Sequence, residues 1–470
     1  MAEKVAFVDL SNNFNDKHAV YMLSAYLRRS GIETGYIKEP TAPRAIRRIK
    51  ELKPALLLYS AFSMELPLFT EFDRAVKEQL RVKSIIGGPG PTFDWGVIER
   101  STIDAACIGE GEYALEEYIK GGFKQAKNII FRGQEMPSGY HPFADLDSLP
   151  FPDRDQVYRQ DSLLRAIGAK QFFSGKGCPY TCAYCFNNAY NAMFKGCGKI
   201  IRKKSVDYLI EEINQVRSRY PLSAAVFQDD TFIAEREWFF EFSDKFPRRV
   251  GIPYTCSIRA NLVDEGLVKA LKESGCIKAW WSIESGNDHI RNKLLKRNIS
   301  REQILETGML LRKYGIPYRM GNMIGLPGEK YENMLETLKL NVEVGSPLAL
   351  ANIYIPYPSL ELTEYAIRNN YLRPEAMQNM PKNFFRKSIL NFTAGEKAKM
   401  LRLSYLFPLM AKHPFFYQHA LARRLLFALP LVLARIIYDI SFVLNMRWMY
   451  HCRQSPKEYA LMLWRYLKDI

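Results

Sequence analysis

The stretch "SGKGCPYTCAYCFNN", residues 174–188, sets Cys178, Cys182 and Cys185 in a Cys-x3-Cys-x2-Cys spacing, three thiols within eight positions and no fourth. Thiolates ligate zinc and iron–sulfur clusters, and both normally take four protein ligands. No partner pair with metal-ligand spacing occurs elsewhere, and the six histidines are scattered. Eight cysteines in 470 residues, five of them isolated, do not make the framework of a disulfide-rich secreted chain. The trio is therefore a candidate metal site short of a fourth protein ligand. Gly175 and Gly177 allow close backbone approach, and Pro179 keeps the segment from starting a helix.

The elements that must carry this loop can be read from hydrophobic periodicity. Strand candidates lie at 171–177, 224–230, 253–259, 276–285, 317–325 and 348–358, separated by helical stretches such as "SVDYLIEEINQVRSRY" and "GLVKALKESG". Six βα units over about 166–360 predict a partial or closed barrel with its chemistry at the strand carboxyl ends. Residues 1–135 show a separate alternation, from "KVAFVDL" through "ALLLYSAF" and "KSIIGG" to "DAACIGE" and "EYALEEYI", which predicts a parallel sheet wound with helices on both faces. Its strand ends, "DLSNNFND", "YSAFS", "GGPGPT" and "GEGE", are polar or glycine-rich, as a binding rim requires. Between the two, 136–165 holds four prolines and no sustained period, and is expected to be a connection packed on the surface.

Beyond about 360 the strand signal gives way to helical, aromatic, basic sequence. From Pro381 to Ile470 there are 15 Lys/Arg against 4 Asp/Glu, so most of the net charge of +16 sits in this tail. The most apolar piece, 425–446, contains Pro430, Arg435 and Asp439, and its longest uncharged run is 10 residues, half of what a bilayer span needs. Two uses of the tail stand side by side: helices covering the open side of the barrel, and a surface meeting anionic lipid or admitting a lipophilic substrate. Nucleic acid is disfavoured, because the tail carries no recognised nucleic-acid module. The N-terminus enters an apolar strand pattern directly, with no basic region, apolar segment and cleavage site of a leader, so the chain is expected in the cytoplasm, with peripheral contact at the inner membrane surface.

The cysteine spacing after an apolar run resembles the hallmark of the radical S-adenosylmethionine superfamily. The resemblance implies that Cys178, Cys182 and Cys185 bind three irons of a 4Fe-4S cluster, and that the fourth iron is chelated by the amino and carboxylate groups of S-adenosylmethionine. One electron, from a donor such as flavodoxin or ferredoxin, would then cleave the sulfonium and release a 5′-deoxyadenosyl radical. Tyr184, before the last cysteine, fits the family pattern. By the same resemblance "VFQDDTF" presents Asp229 and Asp230 to the methionine amino group, with a helix-capping carboxylate at Asp230 as the structural alternative. "CSIRANL" presents Arg259 to a carboxylate, with a structural salt bridge equally open. "WSIESG" brings Ser282 and Glu284 to ribose and carboxylate contacts, and "GNMIGLPGE" offers Gly321 and Gly325 to the adenine ring.

Upstream, "GGPGPT" and "IGEGEYALEEYI", with the connecting "DLDSLPFPDR" and the barrel's "LLKRN", resemble the branch of this superfamily whose barrel follows a cobalamin-binding domain. That resemblance implies cobalamin over the strand ends, near Ser60, Gly87, Gly88, Gly109 and Glu110. The sequence "NDKHAV" matches the start of an Asp-x-His-x-x-Gly ligand motif, but Tyr21 holds the glycine position and His18 is expected only to open a helix. The implied enzyme is an α/β protein with a Rossmann-like cobalamin-binding domain, a partial (β/α)6 barrel and a helical C-terminal domain. Its expected reaction is methylation of an unactivated carbon of a hydrophobic small molecule. Radical cyclisation or ring rearrangement is the alternative within the branch. A non-catalytic iron–sulfur or cobalamin sensor is the rival from another class.

Overall fold

The computed structural model describes residues 4–11, 16–381, 387–449, 460 and 463–464. The front sheet contains β1 (Lys4–Asp9), β2 (Glu33–Lys38), β3 (Leu56–Ser60), β4 (Lys83–Gly87), β5 (Ala105–Cys107) and β6 (Ile129–Phe131), in the order β2-β1-β3-β4-β5-β6. The first five are parallel; β6 is an antiparallel edge that the sequence reading did not name. Alternate residues enter two cores, Ala6, Val8, Leu57 and Tyr59 on one face and Val5, Phe7, Leu56 and Leu58 on the other. Burial on both faces explains why these strands read as unbroken apolar runs.

The barrel sheet contains β7 (Ala169–Phe172), β8 (Ala224–Phe227), β9 (Tyr254–Ser257), β10 (Cys276–Glu284), β11 (Tyr318–Ile324) and β12 (Leu348–Ile353), all parallel and neighbouring in chain order. It is an open, partial barrel. The strand expected over 171–177 ends at Phe172, because the carboxylate of Asp229 takes the backbone N–H of Ser174 at 3.0 Å. The chain then forms a separate two-stranded ribbon, Gly175–Lys176 against Arg202–Lys203.

The helix Ala394–Lys412 packs on β12, the free edge of the barrel. Met400, Leu403 and Phe407 join the barrel core, and the Ser404 hydroxyl donates to the Ala351 carbonyl at 2.7 Å. Covering the open side of the barrel is thus one function of the tail, and it protects an otherwise unpaired strand edge.

Residues 136–165 are more than a surface connection. Leu146, Leu149, Val157, Tyr158, Leu163 and Leu164 are buried, and Arg154 is 2% exposed. Arg154 pairs with Asp16 of the front domain at 3.2 Å, donates to Tyr158 Oη at 3.0 Å, and donates to the Gln171 carbonyl on β7. Asp16 in turn accepts from the Gln171 N–H at 2.8 Å and from the hydroxyls of Tyr21 at 2.8 Å and Tyr158 at 2.9 Å. Front domain, connector and first barrel strand therefore meet at one buried ion pair.

Burial alone would raise the pKa of Asp16, but Arg154 and its hydrogen bonds hold it below the usual carboxylate range. A depressed carboxyl stabilises the fold above its unfolded pKa and loses that contribution as pH falls through the folded value, so the pair is at full strength at neutral pH. Arg154→Met is expected to cost about 3–5 kcal/mol at pH 7 by stranding a buried carboxylate. The double variant Asp16→Asn/Arg154→Met should recover part of that loss in thermal melts; equal melting of the single and double variants would refute the coupling.

Candidate active site at the domain seam

The cysteine loop leaves the ribbon at Gly177, whose φ is +92° and whose Cβ, if it had one, would lie 1.9 Å from the Ile200 carbonyl oxygen. Only glycine fits there. The thiols that follow have different partners. Cys178 Sγ lies 4.0 Å from Thr231 Oγ1, Arg259 Nη1 is 3.8 Å from Cys182 Sγ, and Asn187 Nδ2 is 3.7 Å from Cys185 Sγ. All three cysteines are free thiols. Burial raises the Cys178 thiol above its ordinary range and pushes Cys185 up to about 12, with Asp230 and the neighbouring cysteines adding to both. Thiolates held in such a place need positive charge, which the guanidinium of Arg259 and a bound metal would supply. Among the described residues, no three His, Cys, Asp or Glu side chains gather as ligands of a single metal ion.

Arg259 behaves differently from the expected carboxylate partner. Its guanidinium stacks 3.7 Å from the Tyr180 ring centroid, bonds to the Arg297 carbonyl, and meets Cys182, so it braces the cysteine loop. Its Nε is buried without a hydrogen-bond partner, as are Asn261 Oδ1, whose amide donates to Tyr180, and Arg297 Nε. Three orphaned polar atoms around one loop fit a site that closes around an additional group.

The two aspartates after β8 divide. Asp229 is buried and taken up by Ser174 and by Lys203, which lies at 3.1 Å, so its carboxylate serves the turn between β7 and the ribbon. Asp230 is open to a cavity, and burial in protein together with the Asp229 charge raises its pKa. On β10, Glu284 adopts φ +65° and lies 3.6 Å from Arg297 Nη1, while Tyr184 donates to it at 3.1 Å. Arg297 also donates to Tyr184 Oη at 2.8 Å and to the Ser282 carbonyl. Burial raises Glu284, and Arg297 and Tyr184 pull it back.

Gly321 and Gly325 do not leave bare backbone where a side chain would stand. The Cβ position at Gly321 lies 2.5 Å from Ser282 Oγ, and that at Gly325, with φ +73°, lies 2.5 Å from Met400 Sδ of the helix Ala394–Lys412. In the Cβ direction these glycines admit the protein's own side chains. Glu329, at the end of "GLPGE", ties the loop after β11 by accepting from Leu326 N–H at 3.0 Å.

A cavity of about 420 Å³ joins the two domains. One wall is the front rim, with Phe7, Leu58, Ser60, Gly87, Gly88 and Gly109; the other is the cysteine loop side, with Phe173, Gly177, Phe186, Asn187, Tyr190 and Asp230. Gly88, at φ +101°, would bring a Cβ within 2.9 Å of the Ala61 carbonyl, and a Cβ at Gly109 would strike the Phe194 ring at 2.4 Å. Glu110 is committed to the seam. Arg202 Nη1 reaches it at 3.2 Å and Lys176 at 3.2 Å, and these cations hold it below its ordinary range against the opposing effect of burial. Lys176 also pairs with Glu112 at 3.1 Å. His18 opens the helix His18–Arg29 as expected, with its ring edge-on to Phe173 at 4.6 Å. Burial, and next the charge of Arg154, lower its pKa to about 3, and its Nε2 has no hydrogen-bond partner.

Comparison with known families agrees with this two-walled site. The model of the radical SAM superfamily matches residues 173–340, and that of the B12 binding domain matches residues 13–119. The chain belongs to the radical S-adenosylmethionine superfamily, in the branch that carries a B12-binding domain. It is similar to an uncharacterized methyltransferase of Pyrococcus horikoshii, 27% identical over 333 residues that cover 68% of this chain and 71% of that one. Two solved structures share the fold. The radical S-adenosylmethionine methyltransferase TsrM from Kitasatospora setae, with cobalamin and a [4Fe-4S] cluster bound, aligns at TM-score 0.65 and 14% identity over 79% of this chain and 76% of its own. The cobalamin-dependent S-adenosylmethionine radical enzyme OxsB, with aqua-cobalamin bound, aligns at TM-score 0.68 and 15% identity over 100% of this chain and 80% of its own.

This member of the branch is a cobalamin-dependent radical S-adenosylmethionine enzyme, whose cofactors are a 4Fe-4S cluster, S-adenosylmethionine and cobalamin. Its residues fit them. Three buried or half-buried thiols have no fourth partner, orphaned polar atoms surround the loop, and a largely apolar slot opens beside a glycine-lined rim. The sequence reading missed Arg297, Lys176 and Arg202 as site residues, although they lie in the quoted "LLKRN", in "SGKG" and just after the loop; nothing in their local spacing announces an ion pair made across the fold.

Gly177→Ala is expected to lower iron incorporation at least severalfold while all three thiols remain, read by iron content and cluster absorbance after anaerobic reconstitution. Loading equal to wild type would show that the turn tolerates a side chain. Burial raises Glu329 to about 8, which makes its sign opposite to that of Asp16. Its stabilising contribution is complete below the unfolded carboxyl value and is lost, at up to about 1.4 kcal/mol per pH unit, as pH rises towards 8. Glu329→Gln should therefore be close to neutral at pH 5 and more stable than wild type at pH 9 in urea unfolding; a constant difference across that range would contradict it.

Proposed function

We propose that this enzyme methylates an unactivated carbon of a hydrophobic small molecule held between the cysteine loop and the rim of the front sheet. The observation that carries the reading is the single cavity bounded by both, since a carbon to be activated from one side and methylated from the other must lie where the two walls meet. Within this reading Cys178, Cys182 and Cys185 hold the cluster, and the rim at Ser60, Gly87, Gly88 and Gly109 receives the corrin. When bound, the cluster supplies the electron that cleaves S-adenosylmethionine, and cobalamin supplies the methyl group.

The chain's own residues do the rest. Arg259 offsets the charge of Cys182, and Asp230 offers a carboxylate at the cavity for an amino group. Arg297 and Tyr184 fix Glu284 on β10 beside the loop. Phe7, Leu58, Phe173 and Phe186 line the cavity with apolar surface, which excludes water from a radical reaction and favours a substrate with little polarity. A flavodoxin or ferredoxin is the expected electron donor. The expected setting is the cytoplasm, with peripheral contact at an anionic inner membrane surface, where a lipophilic substrate would be found.

Anaerobic reconstitution with S-adenosylmethionine and a strong reductant is expected to yield 5′-deoxyadenosine, and cobalamin should copurify after expression with added cobalamin. Label from a carbon-13 methyl group of S-adenosylmethionine should appear in product. If 5′-deoxyadenosine does not exceed the level of a Cys178→Ala control, the enzymatic reading fails in favour of a sensor. If it does but no methyl label is transferred, a cyclase or ring-rearranging reaction replaces methylation.

A further inference from the structure

After the barrel-covering helix and the short turn Phe415–Gln418 come two longer helices, Ala420–Ala428 and Leu431–Met449, whose outer faces are exposed among the described residues. On the first, Leu421 and Leu425 are each 61% exposed and share one face with exposed Arg424. On the second, Val432, Ile436, Ile440 and Leu444 form an exposed stripe at helical spacing, reaching 75% at Leu444. Its opposite face is fixed: Ala434, Tyr438 and Asn445 are buried, and Lys412 of the barrel-covering helix reaches Asn445 at 3.2 Å. The apolar stripe is therefore turned outward by packing on the other side. Eight of the large apolar side chains exposed among the described residues fall between Phe415 and Leu444. Scattered single apolar residues need no explanation, but a stripe of this kind marks an interaction surface.

Charge decides the partner. The last 90 residues carry 15 Lys/Arg against 4 Asp/Glu, and Arg424 stands within the apolar face itself. A second copy of this face would bring like charges together, whereas an anionic lipid surface attracts them. Shape agrees: no single helix among the described residues is long and apolar enough to cross a membrane, and the two helices bend by 109° at the break before Leu431. We propose that this bent helical pair docks on an anionic lipid membrane, laying Leu421, Leu425, Ile436 and Ile440 at the acyl boundary and the arginines at the headgroups. The inference deepens the peripheral contact of the preceding reading and does not require methyl transfer, so the two fail separately.

The test is flotation of the full chain with phosphatidylcholine vesicles containing about one-third phosphatidylglycerol, against pure phosphatidylcholine, at low and high salt. The protein should float with the anionic vesicles at low salt and be released from them by salt. Ile436→Asp/Ile440→Asp should abolish flotation, and Arg424→Gln should lower partitioning roughly fivefold. All three side chains are exposed, so both variants should melt and form 5′-deoxyadenosine as wild type does. No flotation of wild type at low salt, or flotation of both variants like wild type, overturns the proposal. So does sedimentation of wild type as a dimer that Ile436→Asp/Ile440→Asp dissociates, since the stripe would then belong to a second copy.

Discussion

A carboxylate removed from water stays ionised only where a fixed counter-charge stands against it, and Asp16 has one in Arg154. This buried pair joins more than two side chains. Asp16 belongs to the front domain, Arg154 to the connector, and both bond to the backbone of Gln171 on the first barrel strand. With the aromatic rings of Tyr21 and Phe172 on the guanidinium at 5.0 and 4.8 Å, the pair has little freedom to rearrange. The two sheets are thereby held with their carboxyl ends facing one cavity, and the site depends on that alignment. Lys176 and Arg202, reaching from the ribbon to Glu110 and Glu112, set a second lock at the cavity's edge.

Around the cysteine loop, backbone geometry and charge act together. Asp229 ends β7 early by capturing Ser174, which frees the chain to form the ribbon, and Gly177 then turns it where no side chain fits. Arg259 fastens the loop from β9 and Arg297 fastens Glu284 on β10, so two strand ends present positive charge to a region of buried thiols. On the free edge of the barrel, Met400 occupies the space at Gly325 and Ser404 bonds to β12. The helix Ala394–Lys412 is thus part of the barrel's architecture, while Ala420–Ala428 and Leu431–Met449 each present an exposed apolar face.

Much of this was legible before any coordinates. The period-2 and 3.6-residue patterns gave the five parallel strands of the front sheet and all six barrel strands, since each is a short apolar run between turn residues. The antiparallel β6, Ile129–Phe131, escaped that reading. Among the site residues, Ser60, Gly87, Gly88, Gly109, Glu110 and Asp230 line the shared cavity, with Glu110 also held by an ion pair, whereas Asp229 is taken up by Lys203 and Gly321 and Gly325 face side chains of the chain itself. Neighbouring residues such as Asp229 and Asp230 carry the same local signal. Which one is captured depends on Ser174 and Lys203, 55 and 26 positions away.

By itself, then, the sequence determined the cysteine spacing with its open position, the two βα alternations and the concentration of positive charge in the tail. Those are local properties, written in residue type and period. Only the tertiary structure decided that the connector is a buried joint, that Arg259 reaches Cys182 and Tyr180 of the cysteine loop, and that the apolar stripe of the last helix points outward. Each of these depends on which distant side chain reaches a buried charge or covers an apolar face, and such partners are brought together by packing across the whole fold.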